Sequence, residues 1–282
     1  MNTQLNIRST TVDWRSWLAR FLDMEEVTGS SPVSTTIEVK ISQEILLILD
    51  LQLASLPEIA THYASDQPDW IRANMIISQD GHFVGPSDSS RDLTNESDLK
   101  LLLLLRALSD VVLVGANTAR VEMYHQPKSR HEFEFLNRKP PRLAVVSASL
   151  DFDLASPLFN GGIEKTIILN VGKNLPSAEL SEVAQVVDLE LDKDASATEI
   201  SKKLIAELSA LGLRKITCEG GPRLLSQLLS AGVVDEYDLT ISPVTVGGSP
   251  LWPEARPSVS QWEEVGVAQS GDFEFKRLLV KR

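Results

Sequence analysis

The sequence has a single cysteine, Cys218, in 282 residues, which excludes an intramolecular disulfide framework and any zinc site built from several thiolates. Histidine is also scarce. His62, His82, His125 and His131 stand apart without an HExxH spacing, so no resident metal is expected. Cations are outnumbered, 27 Lys and Arg against 39 Asp and Glu. The net charge of −12 argues against nucleic acid and anionic membrane surfaces as partners, because both need a basic face. The longest apolar runs, residues 45–49 and 101–105, fall far short of the roughly 20 residues that cross a bilayer. The N-terminus mixes Asp13, Asp23, Glu25 and Glu26 with its bases and has no apolar core. No export signal is read there, and the cytoplasm is the expected compartment. Neither GxGxxG nor GxSxG occurs, which argues against a conventional Rossmann site and a serine-nucleophile elbow.

What is present suits a globular chain. At 43% hydrophobic and 23% charged, it can bury the core of one large α/β domain or of two small ones. Residues 1–40 read differently. "TGSSPVSTT" (28–36) is small and polar without a periodic apolar face, and "WRSWLARFL" (14–22) offers a short amphipathic helix with nothing evident to pack on. "GSSPVSTT" back-translates to a sequence resembling the T-arm and acceptor end of a transfer-RNA gene. Residues 1–40 are therefore expected to be disordered, or a spurious extension from a start placed too far upstream, ahead of one domain over 41–282.

From residue 70 on, β-rich runs alternate with helical stretches. Strands are expected at 70–78, 111–115, 142–147, 165–170, 184–189, 215–219, 235–242 and 273–281, with helices at 95–108, 197–211 and 222–231. The helix at 95–108 has Thr94 as expected N-cap and Glu96 and Asp98 in its first turn, where the helix dipole favours acids. Alternation of this kind implies a three-layer α/β/α fold with a mostly parallel mixed sheet, and the last strand is expected to return as an antiparallel edge.

Three strand ends attract chemistry. "KITCEGGP" runs from a buried-strand pattern into Gly220-Gly221, which permit a tight turn, and Pro222, which suits a first helical position. The result is a helix N-terminus whose N–H groups can hold a phosphate even in an acidic protein. A tight connection with no ligand fits the same residues. The second is "VVLVGANTAR", where Thr118 could donate to a phosphate and Arg120 could meet the 2′-phosphate of NADPH. Ligands gather at the carboxyl ends of strands in such sheets. The third delivers Asp80-Gly81 into a polar loop. Asp80 is a candidate for substrate binding or proton transfer, or simply an Asp-Gly turn. Arg106, near a helix end, either clamps an anion or complements the dipole.

"RANMIISQDG" (72–81), "LLRALSDVVLVGANT" (104–118), "PPRLAVVSASLDF" (140–152) and "ITCEGGPRLLSQLLSAGVVDEYDLTISPVTVGG" (216–248) together resemble the pyrimidine reductases of riboflavin biosynthesis. That family is a branch of the dihydrofolate reductase-like superfamily, and the likeness runs from about residue 55 to the end. "DWIRANM" is similar to its free-standing members, and no HxE with PCxxC deaminase signature occurs. The resemblance implies NADPH-dependent hydride transfer to the sugar C1 of a phosphoribosylamino-pyrimidine, opening the ribose to a ribityl chain. It also implies a homodimer. Thr118, Ser147 and the start of the last long helix (Gly220, Gly221, Pro222, Arg223, Leu224) would contact NADPH. Ser90, Arg106 and Glu219 would contact substrate, with Asp80 bordering it in a catalytic role. After "GANT", "VEMYHQP" replaces a run in which the family carries an arginine, so few cations are expected there for a substrate phosphate. Dihydrofolate or another pterin is the rival substrate, and an NADPH-binding regulator without catalysis is the rival of another class.

Overall fold

The computed structural model describes residues 48–248 and 262–281. The expectations for residues 1–40 lie outside them. The chain forms β1 (Leu49–Asp50), α1 (Leu56–Tyr63), β2 (Trp70–Ile77), α2 (Glu96–Ala107), β3 (Val111–Gly115) and α3 (Ala116–Val121). There follow β4 (Arg142–Ser147), β5 (Thr166–Asn170), α4 (Ala178–Val183), β6 (Ala184–Asp188), α5 (Ala197–Ala210) and β7 (Lys215–Cys218). The chain then runs through α6 (Pro222–Ser230), β8 (Glu236–Ile241), β9 (Trp262–Ser270) and β10 (Phe273–Val280).

Among the described residues the strands make one mixed sheet in the order β1-β9-β10-β8-β2-β7-β3-β4-β5-β6. β2 pairs parallel with β7 and β8, and β3 pairs parallel with β7 and β4. The α/β fold with a mostly parallel sheet is therefore as expected. β10 is antiparallel to β8, again as expected, but it is not an edge: β9 covers its outer side in a second antiparallel pair. Residues 262–270 carry two glutamates and a glycine among the apolar positions, which obscures the strand period in the sequence.

Local signals explain where helices start. Ser55 with Glu58 and Ser196 with Glu199 form capping boxes for α1 and α5. At α2 the N-cap is Asn95, whose side chain accepts from Asp98 N, and not Thr94 as the sequence reading has it. One apolar cluster joins α1 and α2 to β9 and β10 through Tyr63, Leu104, Leu105, Ala268 and Phe275. A second joins β3, β4 and β5 to α3 and α4 through Val112, Val145, Ile168 and Leu180.

Register places charges inside the sheet layer. β2 sets Arg72 beside Glu236 and Asn74 beside Asp238. Arg72 Nη2 lies 3.0 Å from Glu236 Oε2, and Arg277 Nε donates to Glu236 Oε1 at 2.7 Å. Arg72 Nε is 2.8 Å from Asp238 Oδ2, in charge contact and not in an aligned hydrogen bond. Glu236 is fully buried; burial acts to raise its carboxyl, and the Arg72 and Arg277 charges outweigh it and keep it ionised. Asp238, also buried and facing Glu236, is pushed upward by both. Removing one partner of such a cluster strands the other charges. Arg72→Met should lower unfolding free energy by about 3–5 kcal/mol, measured as an earlier urea midpoint.

Candidate active site

Because β2, β7 and β3 are parallel neighbours, their carboxyl ends lie side by side and the three turns singled out in the sequence meet. β7 leads through Glu219 to Gly220, whose φ of +81° is left-handed, and the Gly220–Gly221 peptide is cis. A Cβ on Gly221 would run into the Thr118 hydroxyl, so only glycine lets α6 begin this close to α3. Pro222 occupies the first turn of α6, and Gly221 caps it without a side chain. The first bond within the helix is Leu225 N to Gly221 O, at 3.0 Å, so the N–H groups of Arg223 and Leu224 stand ahead of the ladder. Thr118 with this helix start forms a cradle of donors that a side chain at residue 221 would fill. It fits the diphosphate of a nicotinamide cofactor.

Beside the cradle lies a cleft of about 510 Å³, lined among others by Asn74, Ser90, Asp98, Arg106, Thr118, Glu219 and Gly221. On one side Glu219, buried, receives two parallel bonds from Arg106: Nε to Oε1 at 2.7 Å and Nη2 to Oε2 at 2.6 Å. Tyr124 OH donates to the same Glu219 Oε2 at 2.6 Å, and the Arg106 guanidinium lies 5.3 Å from the centre of the Tyr124 ring. Burial would discharge Arg106, but the Glu219 carboxylate more than offsets this and keeps it cationic. Burial and then Glu219 push the Tyr124 phenol upward, so it stays a donor. Tyr124 comes from the "VEMYHQP" run and was not among the sequence candidates; a lone tyrosine three residues past α3 gives no spacing signal.

Ser90 lies in the cleft wall, where its N and Oγ donate to Glu122 Oε1 at 2.9 and 3.1 Å. Asp80 is not among the residues lining the cleft. Its carboxylate accepts from Ser78 Oγ (2.6 Å), Val246 N (3.1 Å) and Gly247 N (2.6 Å). Burial acts to raise it, but these bonds outweigh that and bring it down to about 2. A carboxylate so held ties the 78–82 turn to the 242–248 turn and stays ionised near neutral pH. Ser147 is buried and its Oγ accepts from Leu150 N at 3.1 Å. Arg120 is exposed, donates to Asp151 O at 3.0 Å and lies over the Phe152 ring. Arg223 is exposed and Leu224 buried.

The "VEMYHQP" run itself holds no Lys or Arg, as expected, and cations come from the chain beyond it. Residues 125–141 wrap a second cleft, also about 510 Å³, lined by Lys128, Arg130, Arg138 and Lys139 and sharing Arg106, His125 and Arg130 with the first. Those cations are spread along residues 128–139 in irregular chain and short turns, which hides the cluster from a motif search. Among the described residues no cluster of His, Cys, Asp and Glu is arranged to hold a metal, and no helix is long and apolar enough to cross a membrane. For Asp80→Asn, the sign follows from the depressed carboxyl. The stability that parent has over variant should be complete above about pH 4 and vanish as pH falls toward 2. Thermal melts of both proteins across that range measure it.

A sequence profile described as the RibD C-terminal domain matches residues 69–272. The chain is 26% identical over 184 residues to a 2,5-diamino-6-ribosylamino-4(3H)-pyrimidinone 5′-phosphate reductase of Archaeoglobus fulgidus, covering 64% of this chain and 82% of that one. It is 25% identical over 185 residues to the riboflavin biosynthesis protein RibD of Aquifex aeolicus, covering 66% of this chain and 49% of that longer protein. Among solved structures, a pyrimidine reductase-like protein from Corynebacterium diphtheriae superposes with a TM-score of 0.66 at 26% identity, covering 81% of this chain and all of that one. With its strand order, its glycine junction and a match over residues 69–272, the chain belongs to the RibD C-terminal domain family of riboflavin-pathway reductases.

Proposed function

We propose that this chain is an NADPH-dependent reductase of a phosphoribosylamino-pyrimidine, of the 5-amino-6-(5-phosphoribosylamino)uracil reductase kind. The observation that carries this reading is one continuous opening in which the α6 amide cradle adjoins the Arg106–Glu219–Tyr124 group. The bound cofactor supplies hydride; the chain's share is to position the reacting carbon and exclude water. Arg223 N, Leu224 N and Thr118 Oγ1 would hold the diphosphate, with Gly220, Gly221 and Pro222 shaping the turn and Ser147 nearby at the end of β4. Exposed Arg120 would meet the 2′-phosphate and so favour NADPH over NADH.

On the substrate side, the pyrimidine would lie between Ser90 and the Arg106–Glu219 pair, and the sugar phosphate would extend toward Lys128, Arg130, Arg138 and Lys139. That run of cations, in a protein of net charge −12, is what favours a phosphorylated substrate over dihydrofolate. The Archaeoglobus fulgidus relative, whose name specifies a ribosylamino-pyrimidinone 5′-phosphate, supports the same class. We place Asp80 at the border of the site as the anchor of a wall loop. We further expect a cytoplasmic homodimer.

NADPH should raise the melting temperature more than NADH does, and the aminouracil ribotide should drive loss of NADPH absorbance. Turnover of dihydrofolate without turnover of the ribotide would overturn the substrate; stabilisation by NADPH without turnover of either would leave a binding protein. Arg120→Ala should cut the preference for NADPH by roughly ten- to a hundredfold, the worth of one charge-assisted bond, measured as the ratio of KM values.

A further inference from the structure

One buried titratable group faces the cleft without a cation to neutralise it. Asp98, in the first turn of α2, is 9% exposed and forms part of the cleft lining. Thr94 Oγ1 donates to its Oδ2 at 2.5 Å, and the Thr240 hydroxyl of β8 also hydrogen-bonds the carboxyl. The charged groups on the surrounding elements are occupied elsewhere. On its own helix Glu96 is exposed, and Lys100 Nζ donates to Leu51 O and Ala54 O at 3.1 and 3.0 Å. On the facing strands, Asp238 of β8 and Arg72 of β2 are engaged with one another and with Glu236. On β9 the nearest polar contact is uncharged, Ser270 Oγ to Ser97 Oγ at 2.7 Å. Across the cleft Arg91 and Glu122 pair with each other, and Arg106 with Glu219; Asp88, on the same wall, is exposed.

The position runs against what the sequence suggests. An acid in a first helical turn is normally an ionised dipole partner, held low. Here burial raises the carboxyl above its ordinary value, and the Thr94 and Thr240 hydroxyls recover only part of that. The Asp80 carboxylate, by contrast, is tied down by amides and kept ionised. Of the two acids, the one whose carboxyl is raised, and which lines the cleft with no cation beside it, is Asp98.

We propose that Asp98 is the catalytic acid of this site, supplying a proton to the substrate heteroatom that receives the bonding electrons when the adjacent carbon is reduced. This rests on the reductase reading above. For a ribosylamino substrate the balance is as follows. A C1′–H bond forms with hydride from the dihydronicotinamide, the C1′–O4′ bond breaks, and its electron pair goes to O4′. O4′ takes the Asp98 proton and becomes the hydroxyl of the ribityl chain. The carboxylate left behind regains its proton from water, and the cofactor leaves oxidised. Thr94 and Thr240 steady the carboxylate in the interval.

Asp98→Asn keeps the size of the side chain and removes the acid. With the ribotide, kcat should fall by about a hundred- to ten-thousandfold, while stabilisation by NADPH stays within error of the parent. In parent protein labelled with ¹³C at aspartate Cγ, the signal that Asp98→Asn deletes should titrate above the ordinary aspartate value, with no ligand added. Should the asparagine variant fail to fold, Thr240→Val serves instead. It removes a donor to the carboxylate, so the alkaline limb of the kcat profile should move up by about one pH unit. An Asp98→Asn enzyme within threefold of the parent, or an unmoved limb in Thr240→Val, overturns the assignment while the reductase reading stands. A parent inactive on the ribotide instead sinks the reductase reading, and the acid falls with it.

Discussion

Glu219 is the one residue between the end of β7 and the glycine turn, and its carboxylate collects Arg106 from α2 and Tyr124 from beyond α3. Those partners are 113 and 95 residues away in sequence. A buried carboxylate costs several kcal/mol unless its lone pairs are satisfied, so each of these groups is held to the others by the penalty for leaving Glu219 unpaired. The same tie fixes the end of β7, and with it where Gly220, Gly221 and α6 begin. The anion cradle and the cleft are thus two sides of one electrostatic constraint.

Overall acidity does not oppose that arrangement. Screening confines the effect of distant carboxylates to about 8 Å at physiological salt, whereas the amides at the start of α6 act at contact distance. Local supply decides. The acids of the site are also differentiated by environment: Asp80 is wrapped in donors, Glu219 is matched by a guanidinium, and Asp98 is given two hydroxyls and no cation. Three carboxyl groups within one region are thereby placed in three different electrostatic environments.

A second buried ionic group, Arg72 with Glu236, Asp238 and Arg277, lies toward the other ends of β2 and β8. It sets register. A slip of one residue between β2 and β8 would turn Arg72 to the opposite face and leave Glu236 without its partner, at a cost far larger than a shifted apolar contact. Correct register there carries Asn74 and Thr240 to the cleft end of the same two strands, so the ion cluster and the site are coupled through strand geometry.

The alternation of β-rich and helical runs was enough to place eight strands and three helices to within a residue or two, because burial on both faces writes a short apolar run for each parallel strand. The glycine junction, Thr118, Arg106 and Glu219 were legible for a related reason: a turn that must be glycine, and a motif in family order, are local facts. Asp98 was legible as a helix-start acid but not as a buried one, since the two look identical until Thr240, 142 positions later, arrives from β8. Tyr124, Glu122 and the cations of residues 125–141 had no pattern to find, and β9 was masked by its glutamates. What the chain order determined was which elements form and where their ends carry chemistry. What only the tertiary structure decided was protonation and partnership, because both depend on which distant groups share a buried volume, and the sequence does not write that distance down.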